Sequence, residues 1–172
     1  MKRTLTALVV SAALSCSALA AAPPAAAVSV GTCTGSTTTT YTPGLTDTLQ
    51  TITANGTDNA DLCVILGHPW LTSFVGPFNG TQSLSCTSIL TSGSGTETLE
   101  WNTGQDSQWS WTNDFQNVDG AEVGTATGPI TSGPLTGTTL TQVIVLAPGS
   151  LAACSTTTGV TQVSGSSNWE FT

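Results

Sequence analysis

Few side chains in this chain of 172 residues are equipped for chemistry: one histidine, ten carboxylates and five cysteines. General acid–base work needs two positioned carboxylates or an imidazole with a partner. His68 is the only imidazole, and Asp58 and Asp61 precede it closely in sequence. A hydrolase centred on His68 would use one of them. No G-x-S-x-G elbow supplies its nucleophile, however. Glu97, Glu100, Glu122 and Glu170 read as a solvated face, with Glu100 on the polar side of a strand and Glu97 nearer a sheet edge. No catalytic residue is expected.

Metal chemistry divides by ligand type. Zinc wants thiolates and imidazoles at short spacing. The cysteines here form no C-x-x-C pair. Calcium wants several oxygens. Asp58-Asn59-Ala60-Asp61 and the run from Asn113 to Gly120 are rich in them. Neither run has EF-hand spacing, and Asx-rich turns need no metal. The expectation is no cofactor, with calcium as the one ion the composition favours.

Cys33, Cys63, Cys86 and Cys154 are an even set and read as two disulfides of an exported protein. Three pairings are possible. A weak internal repeat relates the stretch from Thr42 to Gly76 to that from Thr131 to Gly165, and it sets Cys63 and Cys154 in equivalent loops. That favours Cys33–Cys63 with Cys86–Cys154.

Charge narrows the partners further. The formal net charge is −8, and both basic residues, Lys2 and Arg3, stand at the extreme N-terminus. They begin a secretory leader: a short apolar stretch from Leu5 to Leu14, then small-residue cleavage sites, the favoured one after Ala27. Losing those two cations takes the charge to −10. A chain without Lys or Arg has no usual grip on nucleic acid and no polybasic patch for anionic lipid. The apolar stretch is too short to span a bilayer, so no membrane insertion is expected. Lipid attachment at Cys16 is disfavoured by Ala13-Leu14-Ser15 before it, since the lipoprotein pattern wants Leu three places before the Cys. The reading is a leader over 1–27 and one secreted, extracellular domain over 28–172.

That domain must be β. It is rich in Thr and Gly, and period-two alternation bounded by Gly, Pro, Asn and Asp recurs along it. The pattern predicts eight strands, near 28–42, 48–54, 81–90, 96–102, 107–115, 121–130, 138–146 and 163–171. Pro43-Gly44 and Asn55-Gly56 serve as turns. Residues 58–69 form a loop. The expected fold is a two-sheet antiparallel β-sandwich, Ig-like or jelly-roll-like, with two disulfides.

Tryptophans are the other candidates. A three-residue loop at Gly104-Gln105-Asp106 would pair Trp101 with Trp109 and Leu99 with Trp111, gathering them on one face. That face reads as core. Trp70, with His68 beside it, is the better candidate for an exposed ligand-binding ring. Thr37 to Thr40 is a remote candidate for a threonine-lined ice-binding face.

The whole set of motifs resembles a group of small exported actinobacterial proteins without assigned activity. The resemblance is carried by Tyr41-Thr42-Pro43-Gly44-Leu45-Thr46, Trp101-Asn102-Thr103-Gly104, Val123 to Gly128, Ile130 to Leu135 and Leu151-Ala152-Ala153-Cys154. It implies secretion and a β-sandwich, and it transfers no catalytic residue. The functional expectation is a non-catalytic extracellular protein that binds a protein or glycan. A carbohydrate-binding module using Trp70 is the alternative.

Overall fold

The computed structural model describes residues 30–90, 92–119 and 121–172. The leader assigned to 1–27, with Cys16 and the cleavage site, lies outside them. The described residues form eight antiparallel strands: β1 (Gly31–Leu45), β2 (Gln50–Ile65), β3 (Phe74–Leu84), β4 (Gly93–Trp101), β5 (Asp106–Val118), β6 (Ala121–Ser132), β7 (Thr139–Leu146) and β8 (Val160–Phe171). Each pairs with its sequence neighbours, and β1 pairs with β8 from Gly31↔Phe171 to Thr40↔Gln162. The sheet therefore closes into an up-and-down barrel.

This corrects the expected two-sheet sandwich. Inward-apolar, outward-polar alternation is common to both architectures. What separates them is whether the first and last strands pair, and strand patterning carries no record of that. Eight strands give a barrel whose interior side chains can fill it. Here they do, in two apolar clusters. One contains Phe74, Leu99, Trp101, Trp109, Trp169 and Phe171. The other contains Tyr41, Leu45, Ile52, Leu84, Val160 and Val163. Outward positions of β1 carry Thr32, Thr34, Thr38 and Thr40. Such a hydroxyl face is the inverse of the apolar band on lipid-facing barrels.

Several expected turns are not turns. Pro43-Gly44 lies inside β1, where the β1–β8 ladder is interrupted between Thr40 and Leu45. A residue without an N–H fits such a gap. Asn55-Gly56 lies mid-strand in β2, pairing with Asn79 and Phe78, and the Phe78 ring fills the space above Gly56. The predicted loop over 58–69 is thus mostly strand. Conversely, the predicted strand over 81–90 ends at Leu84, and Ser88–Leu90 form a 3₁₀ turn. The Ser85 N–H donates to Ser88 Oγ at 2.7 Å, a local bond that competes with the ladder.

The tryptophan hairpin keeps its odd loop but not its register. The loop is Asn102-Thr103-Gly104, with Gly104 in the left-handed region at φ 77° and Trp101 N–H donating to Gln105 O. Glu97 then faces Trp109, and Gly95 faces Trp111. The change of partner is four residues, an even number, so Leu99, Trp101, Trp109 and Trp111 stay on their expected face. Trp101 and Trp109 are core, and Trp111 packs partly buried against them.

Both disulfides follow the favoured pairing, Cys33–Cys63 and Cys86–Cys154. The internal repeat does not explain it. Cys63 stands within β2 directly opposite Cys33, while Cys154 lies in the connection between β7 and β8.

Candidate functional site

The most unusual chemistry lies inside the barrel. Alternation along β2 turns Asp58 inward between Gly56 and Ala60. Asp58 is opposed by Thr37 on β1 and by Gly76 on β3. The β3–β4 ladder holds only at Phe74↔Trp101 and Val75↔Glu100. Beyond it the Glu97 side chain comes over Gly76, where a β-carbon would collide with Oε1. The two carboxyl groups thus meet across a glycine. Asp58 is 2% exposed and Glu97 5%. This overturns the reading of Glu97 as a solvated residue near a sheet edge.

Three neutral side chains complete the layer. The Thr37 hydroxyl donates to Asp58 Oδ1. Gln142 on β7 donates from Nε2 to Asp58 Oδ2 at 2.8 Å and to Thr37 Oγ1 at 3.2 Å. Ser167 on β8 lies 2.7 Å from Thr37 Oγ1. The single Thr37 proton is committed to Asp58, so the Ser167 hydroxyl is the donor in that bond. Glu97 Oε1 is buried without a partner.

Burial is the first cause of the pair's titration behaviour. It pushes the Glu97 carboxyl up to about 9, reinforced by the charge of Asp58 and by the hydrogen bond between the two groups. It also raises Asp58, to about 6, against the lowering effect of bonds from Thr37, Gln142 and Glu97. Adjacent carboxyls titrate as a unit.

A cavity of about 70 Å³ adjoins this layer, lined by Thr37, Thr39, Tyr41, Phe115, Ile144 and Val163 among others. It has room for a water or two and is well below the ~300–1,000 Å³ of small-molecule sites.

The sequence-predicted residues fall elsewhere. His68 is on the loop after β2, where its ring meets Trp70 edge-on at 5.4 Å. Asp58 is committed inside the barrel and Asp61 is an exposed bulge residue, so the proposed His68–aspartate pairing does not form. The same alternation splits the Asp58–Asp61 run between two faces, so it offers no common calcium cage. It also sends Thr37 and Thr39 inward and Thr40 outward, dividing the candidate ice-binding face.

Trp70 is 54% exposed. Its loop is fixed by Asn102, whose Oδ1 accepts from Thr72 N–H at 2.9 Å and whose Nδ2 donates to Trp70 O at 3.1 Å. Leu62, Val64 and Leu66 stand exposed along the end of β2, immediately before this loop. A broad open hollow on the outer wall is lined by the hydroxyls of Ser94, Thr96, Ser110, Thr112 and Thr127.

The carboxyl pair was missed because it depends on which strands become neighbours. The usable signal was Gly76: a glycine at an inward strand position marks a place where another group comes close. Comparisons with family models, with curated proteins and with solved structures find no match for the chain.

Proposed function

We propose that the protein is an exported, disulfide-stapled barrel that binds an extracellular partner through the outer face around Trp70. The observation carrying this reading is the half-exposed indole on a loop clamped by Asn102, which follows in sequence the exposed Leu62, Val64 and Leu66. A fixed aromatic ring gives contact area at low ordering cost. The exposed aliphatic residues that lead into this loop favour an apolar protein surface. The interior offers no competing site: it is filled, and its cavity is small. The carboxyl pair is also poorly suited to glycoside hydrolysis. Its groups converge on the same space above Gly76, whereas that chemistry separates them by ~5 Å or more.

A glycan is the second reading, favoured by the exposed ring and by the hydroxyl-lined hollow. One experiment serves both. Wild type, Trp70→Ala and Val118→Ala are compared for retention on cell-envelope preparations and on insoluble glycans. Val118 is exposed on β5, away from the loop. Trp70→Ala is expected to lose about tenfold in retention, and Val118→Ala to behave as wild type. Equal retention of both variants, or no retention of wild type on either support, overturns the proposal. The support that retains wild type chooses between protein and glycan.

A further inference from the structure

We propose that Asp58 and Glu97 form one proton-sharing unit in which the proton replaces a missing cation, so that the barrel is tightened by acid and loosened by alkali.

Charge balance starts the argument. No Lys or Arg follows Arg3, and His68 sits on the outer loop against Trp70. Two buried carboxylates in contact cannot both stay ionised without a counter-charge. The hydrogen-bond pattern then says which one keeps the proton. Asp58 receives donors on both oxygens, from Thr37 and from Gln142. Glu97 receives none on Oε1. An unpartnered oxygen is tolerable on a neutral acid and very costly on a carboxylate. Glu97 is therefore the acid, and its proton is shared with the Asp58 carboxylate across Gly76.

No other described group disturbs this balance. The inward residues facing the pair are Thr37 on β1, Gly76 on β3, Trp109 on β5, Ala126 on β6, Gln142 on β7 and Ser167 on β8. None of these titrates. The nearest titratable side chain on the inner wall of β1 is Tyr41, whose phenol burial pushes up to about 12, so it stays neutral. Asp61 and Glu100 are exposed on the outer surface.

The direction of the pH effect follows. The folded chain keeps a proton that the unfolded chain releases above the ordinary carboxylate value. Stability is full below that value, falls as pH rises through the window, and levels off above the raised Glu97 value. Within the window the unfolding constant grows about tenfold per pH unit for each proton retained.

The test is urea unfolding of wild type, Glu97→Gln and Glu100→Gln between pH 6.5 and pH 8, with infrared spectra of wild type at pH 7. Wild type and Glu100→Gln should show a near-tenfold change per pH unit, and Glu97→Gln should lose it. Wild type should show the carbonyl stretch of a buried protonated carboxyl. An unchanged slope in Glu97→Gln, or no such band in wild type, overturns the proposal. If Glu97→Gln does not fold, the wild-type band and slope decide alone. A rise in melting temperature on adding calcium chloride at pH 7, absent in Asp58→Asn, would also overturn it, because a bound cation would then balance the pair.

Discussion

Glu97 Oε1 occupies the space that a β-carbon on Gly76 would need. The two residues are complementary in the plainest sense, since one strand omits a side chain so that another can deliver a carboxyl group to Asp58. Gly76→Ala should therefore destabilise the barrel by about 1–3 kcal/mol, the usual cost of overfilling a packed interior. Gly80→Ala, with open space around its position, should change little. Urea midpoints of the two variants check this. The combination of Gly76→Ala with Glu97→Ala should recover part of the loss, because the colliding group is gone.

Asn102 is expected to act on binding at a distance from the partner. Asn102→Ala removes the bonds to the backbone of Thr72 and Trp70 and should cost about 1–2 kcal/mol in stability. It should also weaken retention of any ligand that Trp70 holds, although the ring is untouched. Indole fluorescence anisotropy and the retention assay measure the two effects separately.

The disulfides should contribute comparably. Cys33–Cys63 closes a sequence separation of 30 and Cys86–Cys154 one of 68. Chain entropy predicts about 4 kcal/mol for each, slightly more for the longer loop. Cys86→Ala with Cys154→Ala should in addition free the segment between β7 and β8 from the 3₁₀ turn at Ser88–Leu90. Denaturant unfolding and amide exchange of the paired-alanine variants check both points.

Salt should not weaken this protein. Apart from His68, the charged side chains of the described chain are all acidic, so screening relieves repulsion and breaks no ion pair. Melting temperature should hold or rise as sodium chloride is added at pH 7. A clear fall would contradict this.

Much of the architecture was legible in local pattern. Alternation at Leu99, Trp101, Trp109 and Trp111 gave the correct inner face even with the wrong partners, because the register error was even. The last five strands were placed close to their observed bounds for the same reason. Local signals failed where tertiary contacts override them: Asn55-Gly56 looks like a hairpin turn but lies under Phe78, and Pro43 rests in a ladder gap. Barrel closure was invisible because it is one long-range pairing, between Gly31–Thr40 and Gln162–Phe171. The carboxyl pair was invisible for a related reason. Asp58 and Glu97 are neighbours only because β3 offers Gly76 between them and parts from β4 after Val75.

Closure by the two outermost strands also governs how the chain can fold. Residues 31–45 have one of their two ladders supplied by residues 160–171. A chain lacking that last segment would expose β1 and β7 as raw edges, with Trp169 and Phe171 missing from the core cluster. Pairings between such distant segments are slow to form. The ring is thus a delay in folding, because the first described strand waits for the last.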